Sequence, residues 1–477
     1  MTTPHRPDPA TTARPAELRR AIRLVHATAM VVGTIIGASI FVQPSEITGT
    51  VPSVAGIFGV WLVSGVLTVL GALACAELAS AFPATGGVYV FLRETYGRSL
   101  GFLWGWAMFW TMHTGIIAAI AVVFARYAGF FVPLGATGTR AVAVAAIVVL
   151  SVINWFGVEH GSRLQTAFTV VKVAAVVVIV VLAFGLGSSL PSHFNAAGVA
   201  AGGITVSDFA LAVVAGLFAF GGWHMVTYSA GETQDATRTI PRALLIGTLL
   251  VTVCYIALNA AYLYVLPLET VASSTRVAAD AAERLVGTGG GAAVSALVMF
   301  STFGALAGIV LAGPRVYYSM AKDGLLFRWL GDVHPRHRTP HRAIALQAVW
   351  ASVLAATGTY GALFRRVVYT EWVFFGLMAI GLFLLRRRAG YDPPYRMWGY
   401  PWAPALFIIC SALIVVNEIA SQPVDATLGL GMVVIGLPIY AIWLRRERDE
   451  TAKRDAWNFL LTLARSRGRS RRTDEGT

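Results

Sequence analysis

The stretch Gly33-Thr34-Ile35-Ile36-Gly37-Ala38-Ser39-Ile40-Phe41 decides how this chain is read. It lies inside an apolar run from about 24 to 48, long enough to cross a bilayer. Two glycines and two small residues make a poor continuous helix, because glycine in a helix interior costs about 0.5–1 kcal/mol against alanine. In hydrocarbon, broken backbone survives only where it faces protein or a water-filled cavity. A break here therefore needs something to use its freed N–H and C=O groups. A second such stretch, Phe218-Ala219-Phe220-Gly221-Gly222-Trp223, lies in a later apolar run. Paired glycine-interrupted segments in corresponding positions of two halves point to a transporter's binding site.

The chain has 477 residues, of which 56% are hydrophobic and 13% charged. That charged share is about half of what soluble domains carry. The composition excludes a disordered chain and argues against a water-soluble enzyme. Apolar runs of near-spanning length fall at about 24–48, 54–80, 101–125, 141–158, 165–187, 209–231, 243–266, 292–319, 343–361, 367–385, 402–420 and 426–444. The expected fold is an all-α integral membrane protein of about 12 transmembrane helices. The net charge of +13 raises the question of nucleic acid, and its placement answers it. With the N-terminus inside, 30 of the 37 Lys and Arg fall on the cytoplasmic side and 6 on the other, with Lys172 inside a run. This is the positive-inside pattern with both termini cytoplasmic, and an even helix count agrees with it. The basicity reads as orientation and lipid contact, with no nucleic-acid partner.

Cys75, Cys254 and Cys410 all lie in apolar runs, so none is placed for an external disulfide. The polar first twenty residues, with Arg14, Arg19 and Arg20, read as a short cytoplasmic tail and not as a signal peptide. His113 in the third run is either a hydrogen-bonded packing histidine or a pocket or proton-relay group. Lys172, inside the fifth run, either snorkels to the surface or has a buried partner or function. The charged loop Gly231–Arg242 follows the second break; there Pro241 opens the next helix, and the loop could serve as an inner gate. His334, His337 and His341 lack acid or thiol partners at metal-ligand spacing, so they read as a solvated basic loop and no metal is expected. Glu418, near the outer end of the eleventh run, is expected at the interface, and the tail from Arg445 is either an amphipathic surface helix or a disordered basic segment. No P-loop, CxxC, HExxH or GxSxG pattern appears in its required context. Transport would then be gradient-driven or exchange, without cofactor.

These motifs resemble the amino acid–polyamine–organocation superfamily of transporters, closest to its L-type amino-acid transporter branch, from about 23 to 444. Gly33–Phe41 is similar to the family's G-x-I-I-G-x-G-I-F signature, and Phe218–Trp223 to its L-F-A-Y-G-G-W signature. Glu77 with Pro83 and Gly86-Gly87, then Pro241-Arg242, Ala321–Gly324 and Gly399-Tyr400-Pro401, match further landmarks in the same order. The resemblance implies two inverted five-helix repeats, the leucine-transporter-type 5+5 arrangement, plus two peripheral helices. Its divisions would be a tail at 1–22, repeats at 23–190 and 205–388, helices 11 and 12 at 389–444 and a basic tail at 445–477.

A break after about Ile36 would free N–H groups of Gly37, Ala38 and Ser39 for a carboxylate. Carbonyls of Ile35 and Phe218, with Ala219 and Gly221 beside them, would face an ammonium. By the same resemblance Phe218 is a gate over the substrate, and Lys172 projects where a sodium ion would bind, implying sodium-independent transport. Lys172 and Ser301 are the coupling or structural candidates, and His113 and His224 the pocket candidates. Two departures stand out. Ser39 replaces the third signature glycine, either storing about 1–3 kcal/mol of strain if φ is positive there or adding a hydroxyl donor. His224 stands where many relatives carry an acidic or amide residue. The loop at about 129–140 lacks the cysteine by which animal L-type members bond a heavy-chain partner, so a stand-alone permease of the bacterial cytoplasmic membrane is expected. Neutral amino acids are the expected substrates; a non-transporting sensor and a polyamine exchanger are the alternatives.

Overall fold

Long apolar runs have one economical way to satisfy their backbone in lipid, the helix. The computed structural model, described over residues 22–37, 39–156, 161–188, 203–337, 339–357, 360–424 and 426–444, is helical throughout, with a single isolated bridge between Ile22 and Thr233 among the described residues. The first span is α1 (Leu24–Ile35), a 3-10 turn at Ser39–Phe41 and α2 (Gln43–Thr50). The second is α3 (Val54–Ala81), followed by the short α4 (Val88–Tyr96). The third joins α5 (Arg98–Ala107) to α6 (His113–Ala128) through a π-helical turn at Met108–Met112. The fourth and fifth are α7 (Ala136–Trp155) and α8 (Gly161–Leu186). The sixth is α9 (Val206–Ala219) with a 3-10 segment at Trp223–Glu232, and α10 (Ala236–Val265) is the seventh. After the short α11 (Leu268–Ser273) and α12 (Val277–Val286) come α13 (Thr288–Lys322), α14 (His341–Thr357), α15 (Tyr360–Arg386) and α16 (Trp402–Ser421). A last helical stretch covers Ala426–Leu444.

Eleven of these spans are long and apolar enough to cross a membrane. The ninth, α14, has 17 described residues and rises about 25 Å. Lipid tails are as apolar as leucine, so helix contacts depend on close packing at small residues. A Cβ added to Gly65 would come within 2.5 Å of Thr252 on α10, and one on Gly247 within 2.6 Å of Val31 on α1. One on Gly216 would meet Ser64 at 2.3 Å. These three contacts lock α10, α3, α1 and α9 into one central cluster.

The basic end of the bundle is closed by charge pairs. Glu77, fully buried on α3, accepts from Arg386 at 2.5 and 2.9 Å and from the Met397 N–H at 2.6 Å. Asp323 pairs with Arg93, accepts from the Tyr89 hydroxyl at 2.5 Å, and its carbonyl accepts from Arg98 at 2.9 Å. Burial, then the Asp323 carboxylate, pushes the Tyr89 hydroxyl's pKa up, so it stays a donor. Arg315 pairs with Glu232 at 3.3 Å.

One expectation is corrected. Pro241 does not open the seventh span: Asp235, with φ at 44°, starts α10 at Ala236 because the Arg238 and Thr239 N–H groups already bond to its carbonyl. Glu418 does lie in the last turn of α16, but it is turned inward, buried against the bundle, and has a partner. The tail from 445, the residues before Ile22 and Ala38 lie outside the described residues.

Candidate functional site

Both glycine clusters are broken. α1 stops at Ile35, and the chain turns through Ile36 and Gly37 before the 3-10 turn at Ser39. α9 stops at Ala219, and Gly222, at φ +96°, turns the chain into the Trp223–Glu232 segment. That φ belongs to the left-handed region, which an L side chain enters at a cost of roughly 1–2 kcal/mol, so this turn needs glycine.

The two breaks hold each other. The Thr34 hydroxyl lies 3.3 Å from the Gly222 carbonyl. The Tyr255 hydroxyl of α10 lies 2.8 Å from the Ile35 carbonyl and 2.9 Å from that of Ala219, offering one proton to two acceptors. The last carbonyls of two helix halves, orphaned by the breaks, are thus collected by one phenol. Tyr255 is missing from the residues singled out by sequence. Its signal is a tyrosine deep inside an apolar run, where a buried hydroxyl must find a partner.

Around the breaks lies a narrow cleft, whose backbone wall is Thr34, Ile35, Gly37, Ser39, Gly221 and Gly222. The facing side chains are Ile116 and Ile120 of the third span, Phe218, Met225 and Ile309. Ile36 and Ala219 are buried beside it but do not line it. No charged side chain appears among the described lining residues.

The expected backbone groups are partly engaged. The Gly37 N–H donates to the Ile35 carbonyl at 2.7 Å, so that carbonyl accepts from both Gly37 and Tyr255. The Phe218 carbonyl accepts from the Gly221 N–H at 2.9 Å. Ser39 and Ile40 open the 3-10 turn, and the leading N–H groups of such a turn have no helix-internal partner. The same holds for the first residues of the Trp223 segment. Ser39 is not strained: among the described non-glycine residues only Asp235 has a positive φ. Gly37 also has no positive φ; its small size admits Ala305, whose Cβ would lie 3.4 Å from an added one.

Lys172 is buried and donates to the Gly33 carbonyl at 3.0 Å. Three residues earlier, the Thr169 hydroxyl donates to Ala29 at 2.9 Å. Together they tie α8 to the last turns of α1, and the snorkelling alternative is excluded. Ser301 reaches toward the Gly37 carbonyl at 3.5 Å. His113 follows the π-helical turn, which redirects the helix so that its Nε2–H donates to the Ile309 carbonyl at 2.7 Å. It is a bonded packing group behind the cleft. His224 is buried against Trp104, Trp223, Tyr228 and Phe375, outside the cleft.

Two discontinuous spans meeting face to face, with helix-start donors at a cleft that has no charged side chain among its described lining residues, fit a membrane carrier of small polar molecules. The family model described as amino acid permease matches residues 22–444, and the chain belongs to that family. It is 32% identical over 427 residues to the serine/threonine exchanger SteT of Bacillus subtilis, covering 89% of this chain and 96% of that protein. It is 30% identical to the human b(0,+)-type amino acid transporter 1, covering 87% and 85% of the two chains. It is 28% identical to the human cystine/glutamate transporter, covering 91% and 87%. The chain is an integral membrane permease or exchanger for amino acids, and not an enzyme.

Proposed function

We propose that this chain moves small neutral amino acids across a bacterial cytoplasmic membrane by alternating access, without sodium and without a disulfide-linked heavy chain. The carrying observation is the cleft between the two breaks, which has no charged side chain among its described lining residues. An anionic or cationic side chain would enter it unpaired, at a cost of several kcal/mol. A zwitterion needs only backbone: helix-start N–H groups at Ser39 and Ile40 suit the carboxylate, and carbonyls at the ends of α1 and α9 suit the ammonium.

The Ile35 and Phe218 carbonyls keep the amine role in this reading, with Tyr255 and Gly221 yielding part of their hydrogen bonding as the substrate arrives. Ser39 adds a hydroxyl donor, and Phe218 gates the cleft. The name of SteT, a serine/threonine exchanger, supports small neutral substrates and exchange. Lys172 supports sodium independence, since a fixed ammonium at Gly33 occupies the carbonyl that a cation would use. The two repeats, 23–190 and 205–388, each opened by an interrupted span, supply the rocking halves, and both termini stay in the cytoplasm.

Counterflow by purified protein in vesicles tests this. Labelled serine, threonine or alanine should exchange equally in sodium and choline buffers. Loss of all exchange in choline refutes sodium independence, and exchange of only glutamate or lysine refutes the neutral substrate. Binding without counterflow would mean a sensor.

A further inference from the structure

Beside the cleft, and sharing none of its lining residues, lies a second group of polar side chains that the transport reading does not use. Glu371 sits on α15 near the middle of the tenth span and is 6% exposed. Among the described residues no hydrogen bond or ion pair reaches its carboxyl. One turn further on the same face, Phe375 packs on His224, with ring centroids 5.0 Å apart. His224 in turn lies 5.5 Å from the Tyr228 ring and 5.9 Å from that of Trp104. Tyr228 is within electrostatic reach of Glu371, Cys75 and Tyr317. In this one region Trp104 Nε1, His224 Nδ1 and the hydroxyls of Tyr228 and Tyr317 are all buried without a hydrogen-bond partner among the described residues.

Buried polar groups are almost always bonded, and a cluster of orphans around an unpaired carboxyl marks a place something small and mobile fills. Tyr228 of the sixth span is an ionisable group within reach of Glu371; Cys75 of α3 and Tyr317 of α13 lie around Tyr228, and His224, with His113 of α6 near it, packs on Phe375. None is a fixed cation. Arg386, on the same helix, is held by Glu77, and Glu418 of α16 has its own partner. A sodium ion would need several oxygens at once, and the orphaned groups here are an indole N–H, an imidazole nitrogen and two phenols. A proton needs only the carboxyl and a hydrated path.

We propose that Glu371 is a proton-binding site of this permease, with Trp104, His224, Tyr228 and Tyr317 holding the water that serves it. His224 and Tyr228 stand on the same 3-10 segment as Met225, which lines the cleft. Protonation at Glu371 and occupancy of the cleft therefore bias the same moving element, and an inward proton gradient drives accumulation. This rests on the transport reading.

The test uses the full chain in vesicles in choline buffer, with labelled serine and a trapped pH dye. Wild type should accumulate serine several-fold when the outside is acid, with internal acidification. E371Q should keep serine counterflow at equal pH within about twofold and lose both accumulation and the dye signal. Should E371Q also lose counterflow, E371D decides. A carboxyl one methylene shorter restores the proton response under this proposal, and its failure to do so while serine still raises the melting temperature overturns it. Wild-type exchange indifferent to the gradient, gradient-driven uptake by E371Q, or accumulation that needs sodium also overturns it. Absence of counterflow for every amino acid in wild type sinks the transport reading instead.

Discussion

Tyr255 and Lys172 each place one donor on a carbonyl that a helix break leaves over. Removing the hydroxyl in Tyr255→Phe leaves Ile35 with only the Gly37 N–H and strips Ala219 of this donor. An unsatisfied buried group costs about 1–3 kcal/mol. The expected outcome is a roughly tenfold fall in counterflow rate, with the protein still folded by thermal shift; an unchanged rate means the bridge is idle. Lys172→Ala should lower uptake per inserted molecule by more than about tenfold, while membrane abundance stays within about twofold. Lys172→Met keeps most of the volume and should be as inactive, which separates the ammonium from its packing. Ser39 and Gly222 mark the limit of reading single letters. The serine departure suggested strain, yet the chain passes it in a 3-10 turn with ordinary φ, and the left-handed turn falls at Gly222 in the other break.

At the scale of elements, spans pack through glycines that admit a neighbour and through pairs that fasten their ends. Glu77 on α3 and Arg386 at the end of α15 are the plainest of these, because the carboxylate is fully buried. Breaking one side of such a pair leaves an unpaired charge and costs about 3–5 kcal/mol. Glu77→Gln and Arg386→Leu should each lower the melting temperature clearly, and the double variant should lose less than the two single losses added together. Full additivity would show that the pair is not coupled. Most helices were legible at this scale, since an apolar run of spanning length has few alternatives to helix in lipid. The π-helical turn before His113 was not, because it depends on what α6 must meet across the bundle, the Ile309 carbonyl on α13.

Across the whole molecule, the basic end is shut by Asp323 gathering Arg93, Tyr89 and Arg98, and by Glu232 with Arg315. The clasps join α4 and the sixth span to α13, so they must part if the cleft is to open on that side. Asp323→Asn weakens charge-assisted bonds worth about 1.5–3 kcal/mol each in partly buried settings. It should raise thiol labelling of a cysteine placed at Ser319 beside the clasp, which now bonds to Thr85. Unchanged labelling would mean the clasp does not hold the closed state.

The chain alone determined the membrane class, a count of about twelve spans and the two sites of interruption, because each follows from local hydropathy, charge placement or the cost of glycine in a helix. Only the tertiary structure decided what the breaks face. Tyr255 reaches two carbonyls contributed by stretches 184 residues apart in the sequence, and Glu371 of the tenth span comes within reach of Tyr228 of the sixth. Such meetings arise from how helices cross, and no periodicity along one helix records them.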